Sequence, residues 1–267
     1  MISDRSISSA GRAAVTESKP LLQAEGITVR FGGLTAVDAV DAVFMTGELV
    51  GIIGPNGAGK TTFFNAISGV IRPTGGRLVV GGRDLGGRAP HHFAASGLAR
   101  TFQTPRVFGE MSVRDNVGFG LKFAGRRRHG AIPSALRDSD GILALIGLSA
   151  QADLPAAAIT PSQQRLLEIG MALATRPRML LLDEVAAGLT EAEVESMAQL
   201  VRRLRDELGL TVVWIEHAVT TLLRHVERVI VLHQGRKIAD DSPSAVVRHP
   251  EVIEAYLGDE MVGEGTA

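Results

Sequence analysis

The run Leu49-Val50-Gly51-Ile52-Ile53, followed by Gly54-Pro55-Asn56-Gly57-Ala58-Gly59-Lys60-Thr61-Thr62, leaves the chain few folds to choose from. A short apolar strand enters a glycine-rich turn, and the turn opens a helix beginning Lys60-Thr61-Thr62-Phe63-Phe64. This is the P-loop spacing G-x-x-x-x-G-K-[ST], in the strand–loop–helix setting that gives the pattern its meaning. Gly54, Gly57 and Gly59 let the backbone bend so that successive N–H groups point inward at phosphate oxygens. The positive end of the following helix adds to that field. The residues Gly54 to Thr62, with Pro55, Asn56 and Ala58 among them, are therefore expected to bind a nucleoside triphosphate. Lys60 is the candidate for the β- and γ-phosphates, and the hydroxyl of Thr61 for a Mg²⁺ ion.

The 267 residues suffice for one large domain or a core with an inserted subdomain. A net charge of −1 gives no bulk attraction to nucleic acid or to an anionic membrane. Cysteine is absent, which excludes disulfides and thiolate metal sites and fits a reducing compartment. No apolar run approaches the roughly 18–20 residues that cross a bilayer. Residues 1–20 lack the apolar segment of a signal peptide, so a disordered tail is expected there, and 259–267 is read as a C-terminal tail. The expectation is a soluble, cytoplasmic protein.

Taken in order, Leu21 to Arg30 predicts a strand, and Val37 to Phe44 a second one with Val37, Val40 and Val43 buried. Phe31 is an aromatic upstream of the P-loop, able to stack on a purine ring or to serve as an ordinary edge residue. Pro105 biases Thr104 away from helix, so a strand running through Arg100-Thr101-Phe102 breaks into a loop at Gln103. An amide at that exit can ligate Mg²⁺ and order a water. From about 105 to 164 the composition changes, and an inserted, mostly helical subdomain is expected, with helices over Val113 to Phe123 and Ser134 to Ile146. Its basic cluster Arg126-Arg127-Arg128-His129 carries no interleaved aromatics and is read as a solvated helix end or loop. Thr160 and Gln163 have capping-box spacing around Pro161, opening a helix to Ala174 with Leu166, Ile169, Gly170 and Leu173 on one face.

The apolar run Met179-Leu180-Leu181-Leu182 ends in Asp183-Glu184. Such runs mark strands buried on both faces of a parallel sheet, whose carboxyl edge is where open α/β sheets place ligands. Asp183 suits the outer shell of Mg²⁺, and Glu184 a general base for the water that attacks the γ-phosphate. Thr190 and Glu193 form another capping box, for a helix to Leu208. Thr211 to Ile215 is a further buried strand, and His217 just past it repeats the strand-end placement of Gln103 and Glu184. Glu227 to Leu232 is expected to close the sheet, with small helices between Pro243 and Leu257. The class is α/β: a P-loop NTPase (RecA-like) core with a mainly parallel sheet, an antiparallel β subdomain and the helical insertion.

Together these residues resemble the ATPase subunit of an ABC transporter over 21–258. The P-loop, the stacking aromatic Phe31, the Q-loop glutamine Gln103, the Walker B run Leu180 to Glu184 and the switch histidine His217 stand in family order. Phe31-Gly32-Gly33-Leu34-Thr35-Ala36-Val37, Arg100-Thr101-Phe102-Gln103, Ile215-Glu216-His217 and His249 to Gly258 are similar to the ATPases of branched-chain amino acid importers. The resemblance implies ATP and Mg²⁺ as ligands, and catalytic roles for Glu184, His217 and Gln103. It also implies a second ABC ATPase subunit, two integral membrane permease subunits and an extracytoplasmic solute-binding protein, with no nucleic acid. The expected position is peripheral, on the cytoplasmic face of the inner membrane.

Two departures from the family pattern stand out. The signature segment, LSGGQ in the family, is here Ile159-Thr160-Pro161-Ser162-Gln163, with Ser162 in place of a glycine. The residue after the Walker B glutamate is Val185 rather than proline, and the D-loop ends in Thr190. In the family, Thr160, Ser162 and Gln163 would be lent to the ATP held by the partner's P-loop. Two other readings compete: a regulatory subunit that binds ATP but hydrolyses little, and a soluble ABC ATPase acting on nucleic acid. Intact Glu184 and His217 oppose the first; near-zero net charge opposes the second.

Overall fold

The computed structural model describes residues 19–123, 133–216 and 219–263. Two long strands, β1 (Pro20–Phe31) and β2 (Leu34–Met45), lead to β3 (Leu49–Ile53) and α1 (Lys60–Ile67). Next come β4 (Gly75–Val80), β5 (Arg83–Asp84), α2 (Pro90–Ala95) and β6 (Leu98–Arg100). A helical stretch of α3 (Val113–Phe123), α4 (Ser139–Leu145) and α5 (Pro161–Ala174) separates β6 from β7 (Met179–Asp183). The chain continues through α6 (Glu191–Leu208), β8 (Thr211–Ile215), α7 (Val219–His225), β9 (Arg228–His233) and β10 (Arg236–Asp241), then α8 (Pro243–Val246) and α9 (Pro250–Gly263).

The strands form two sheets. A six-stranded sheet has the order β10-β9-β3-β8-β7-β6, parallel from β9 to β6. A four-stranded antiparallel sheet has the order β2-β1-β4-β5. Every residue of β3, β7 and β8 is buried, which explains their unbroken apolar sequences. Alternate side chains serve two cores. Leu49, Leu180, Leu182, Val212 and Trp214 pack toward α5, α6 and the other helices. Val50, Ile52, Leu181, Val213 and Ile215 pack with Phe63 and Phe64 of α1 and with the antiparallel sheet. The parallel sheet is thus the middle layer.

In the helical part, α3 crosses α5 at Gly120, where a Cβ would stand 2.7 Å from the Met171 carbonyl oxygen. The glycine sets the close approach of the two helices.

Four local expectations change. Val43 is exposed, because Ala39 adopts φ 49° and shifts the β1–β2 register. The bulge lets Val37 and Val40 both face inward, after which strict alternation buries Ala42 and Phe44 instead. On α5, Leu167 is fully buried beside the expected Leu173, whereas Leu166 is only partly buried. The segment from Ser134 breaks into a 3₁₀ turn and α4, since Asp138 caps α4 by accepting from the Gly141 N–H at 2.8 Å. Finally, β9 does not close the sheet: β10 adds to it as an antiparallel edge.

Candidate active site

The carboxyl ends of β3, β7 and β8 lie level, with Ile52 opposite Ile215 and Ile215 opposite Asp183. One edge therefore collects the P-loop, Asp183, Glu184 and Glu216. The P-loop is braced from behind by backbone. Gly235 N donates to Ala58 O at 3.0 Å, and Asp38 N to Gly235 O at 2.8 Å. A Cβ on Gly54 would lie 2.1 Å from Leu232 O, and one on Gly59 (φ +94°) 2.4 Å from Ala36 O. The loop can follow this path only with glycine at both positions. Lys60 is buried, and its ammonium donates to Gly54 O at 2.6 Å and Pro55 O at 2.9 Å, inside the curve of the loop. Asn56, Gly57 and Thr61 are exposed; Pro55 and Ala58 are buried, and Thr62 is half-buried. The first N–H groups of α1 have no acceptor within the helix, which is the donor set an anion needs.

Glu184 is buried and sits at φ 50°, an uncommon conformation for a side-chain-bearing residue. Gln103, in an exposed loop, donates from Nε2 to Glu184 Oε2 at 2.7 Å. The structure thus brings together two residues 81 positions apart. Asp183 is buried and accepts from Arg100 Nη2 at 2.9 Å. Thr61, Gln103 and Asp183 offer only oxygen ligands, the chemistry that suits Mg²⁺ held jointly with phosphate. Among the described residues no group of His, Cys, Asp and Glu could hold a metal by itself. His217 and the cluster 126–129 lie outside the described residues. Phe31 is 51% exposed at the end of β1, open for stacking.

At the other end of the chain's site residues, Thr160 caps α5 with both halves of the capping box present. Its hydroxyl accepts from Gln163 N at 3.2 Å and lies 3.0 Å from Ser162 Oγ, while Gln163 Oε1 accepts from Thr160 N at 3.0 Å. Ser162 faces a cleft of about 480 Å³ shared with Glu193 of α6. Glu193 is held below the usual carboxylate range by the Thr190 N–H, then the Thr190 hydroxyl, then Ser162.

Four polar residues to which the sequence assigned no role complete the site. Arg165 donates to Gln103 O at 3.4 Å, Glu184 O at 3.0 Å and Ala187 O at 2.8 Å, joining α5 to both loops. Glu168 is buried and accepts from Phe102 N at 3.3 Å and Arg106 N at 3.1 Å. Burial pushes its carboxyl up, against those two N–H groups. Glu216 accepts from Ala186 N at 2.7 Å and Trp214 Nε1 at 3.0 Å; burial raises it too, and the Glu184 charge adds to the rise. Arg100 is the fourth, and burial lowers it against the pull of Asp183. An acid between Leu167 and Ile169 on an apolar face was the available signal for Glu168.

A family profile described as ABC transporter matches residues 37–187, more than half of the chain. The chain belongs to the ABC transporter family. A second profile, branched-chain amino acid ATP-binding cassette transporter, matches residues 236–262. The chain is 38% identical over 253 residues to BraF of Pseudomonas aeruginosa, a high-affinity branched-chain amino acid transport ATP-binding protein, covering 91% of this chain and 99% of the relative. It is equally 38% identical over 255 residues to the protein LivG of Salmonella typhimurium, of the same description. Among solved structures, the ADP conformation of MJ1267, an ATP-binding cassette of an ABC transporter, superposes with a TM-score of 0.79 at 31% identity, covering 90% of this chain and 100% of that one. As a member of the ABC family the chain is a nucleotide-binding ATPase subunit that works with membrane permease subunits. The P-loop NTPase fold expected from the sequence is the fold observed. No helix of the described residues is long and apolar enough to cross a membrane.

Proposed function

We propose that this ABC ATPase drives uptake of branched-chain amino acids or a related small solute, as one of two ATPase subunits on a pair of permease subunits. It would sit peripherally on the cytoplasmic face of the inner membrane, with an extracytoplasmic protein delivering the solute. The relatives named above support the substrate class. The observation that carries the catalytic reading is the Gln103–Glu184 hydrogen bond beside the braced P-loop. Lys60 and the first-turn N–H groups of α1 would bind the β- and γ-phosphates, and Phe31 the purine. Thr61, Asp183 and Gln103 would hold Mg²⁺, which supplies charge neutralisation when bound. Glu184 accepts the proton of the attacking water, oriented through the amide of Gln103. His217 completes the reading as the γ-phosphate partner. Thr160, Ser162 and Gln163 serve the ATP of the partner subunit.

A surface for the permease lies beside the site. Phe108 and Phe119 are exposed and pack edge to face at 4.9 Å between ring centres. Buried Asn116 pins the loop beneath them, accepting from Phe108 N at 2.8 Å and donating to Phe108 O at 3.1 Å. A groove of about 330 Å³ opens at Arg106, two residues before Phe108 in the chain, and is lined mainly by apolar side chains, among them Val70, Phe93, Phe102 and Met171. This apolar lining fits a cytoplasmic helix of the permease.

Glu184→Gln tests the catalytic reading in the assembled complex. ATP binding should persist while turnover falls about 10²–10⁴-fold, the range for general-base loss. Near-full ATPase activity in that variant would overturn the assignment.

A further inference from the structure

Arg100 ends β6 with a side chain only 11% exposed, and its guanidinium is the hub of a cluster that no catalytic role accounts for. Nη1 donates to Asn65 Oδ1 and to Ser68 Oγ, each at 2.8 Å. Nη2 donates to Asp183 Oδ2 at 2.9 Å, and Nε to Thr101 O at 3.2 Å. The ring of Phe102 lies 4.7 Å from the guanidinium carbon and that of Phe64 at 5.3 Å. Arg100 therefore touches three pieces of the site at once: the helix that follows the P-loop, the acid at the end of β7 and the residue before Gln103. It also lines the 330 Å³ groove beside Phe102 and Arg106.

A planar fork of five N–H donors fixes the direction of each partner, unlike a single ammonium. A buried carboxylate without such a partner would be costly, and one held by a cation on a swinging stem would not keep its orientation. Here the guanidinium is held by both aromatic rings and by two acceptors, Asn65 on α1 and Ser68 at its C-terminal cap, so the carboxylate of Asp183 is held in turn. We propose that Arg100 is a positioning residue, which orients Asp183 for the metal bound with ATP and ties that orientation to the wall of the permease groove. The proposal rests on the reading of Asp183 as a magnesium-site acid. Residues that orient metal-site ligands typically contribute roughly 10- to 100-fold to metal affinity.

The test measures binding of a non-hydrolysable ATP analogue to the full chain, once in EDTA and once in Mn²⁺. The ratio of the two affinities is the metal-dependent gain. In Arg100→Met the affinity in EDTA should stay within about twofold of the parent, while the gain falls roughly tenfold or more. Arg100→Lys, which keeps the charge and one donor group, should recover part of it. The paired change Asn65→Ala with Ser68→Ala leaves Arg100 and Asp183 in place and removes only the anchors. It should lower the gain in the same direction by about threefold, and it carries the test alone if Arg100→Met does not fold. An unchanged gain in a folded variant would overturn the proposal, as would an equal loss of affinity in EDTA. A parent protein with no metal-dependent gain would sink the metal-site reading itself, and this inference with it.

Discussion

Replacing Glu168 by alanine should loosen the Gln103 loop from α5 and destabilise the whole chain. Glu168 is 6% exposed, and its carboxylate is the acceptor for two backbone donors, Phe102 N at 3.3 Å and Arg106 N at 3.1 Å. A hydrogen bond to a charged group contributes about 1.5–3 kcal/mol, and a buried donor left unpaired costs a similar amount. The longer bond from Phe102 counts at the low end, and removal of a buried charge offsets part of the loss. The net expectation is about 2–4 kcal/mol. Urea unfolding reads this as a lower midpoint at constant slope. Because Arg165 still holds Gln103 O and Glu184 O, nucleotide affinity should change less than turnover. The pH dependence has a definite sign. Burial raises the Glu168 carboxyl above its unfolded value, so the folded state binds its proton more tightly. This group's destabilising contribution is fully present above the folded pKa and fades as pH falls toward the ordinary carboxylate range. The stability of the parent relative to Glu168→Gln should therefore improve on acidification from neutral pH. A Glu168→Ala protein within about 0.5 kcal/mol of the parent would refute the reasoning.

If Thr160 and Ser162 serve the ATP of a different partner subunit, as proposed, Ser162→Gly should raise hydrolysis at that partner's P-loop and leave the chain's own site nearly unchanged. The altered signature leads us to expect a heterodimer in which the chain's own site carries most turnover; ATPase rates of the full complex, with the P-loop of either subunit disabled, separate the two sites, and a fully active homodimer of the unaltered chain would end this idea. Phe108→Asp should break transport or assembly with nucleotide affinity intact, because Phe108 is exposed on a loop that Asn116 holds independently of the P-loop. Unchanged transport would remove the docking surface. Gly59→Ala should cost at least about tenfold in ATP affinity, from a left-handed backbone and a Cβ 2.4 Å from Ala36 O. Gly57→Ala, at φ +75° but with nothing within 4 Å, should cost less in the same binding assay.

Local chemistry made much of this protein legible in its sequence. The P-loop glycines, the apolar runs of β3, β7 and β8, and the capping boxes at Thr160 and Thr190 are each written within a few adjacent residues. Spacing alone specifies them, because a turn, a strand buried on both faces and a helix cap are local solutions to local steric and hydrogen-bonding demands. The order of those motifs along the chain fixed the fold class and the family.

What only the tertiary structure decided concerns partners far apart in the chain. The bond from Gln103 to Glu184, the clasp of Arg165 on both loops, the buried acids Glu168 and Glu216 and the hub at Arg100 all depend on which strand ends lie side by side. A single arginine or glutamate in a sequence carries no mark of its acceptor or donor. The same holds for Val43, whose exposure follows from a bulge at Ala39 that shifts the alternation of β2. Sequence pattern records what each residue prefers; the sheet register decides whom it meets, because pairing across a parallel sheet joins residues with no constraint on their separation along the chain.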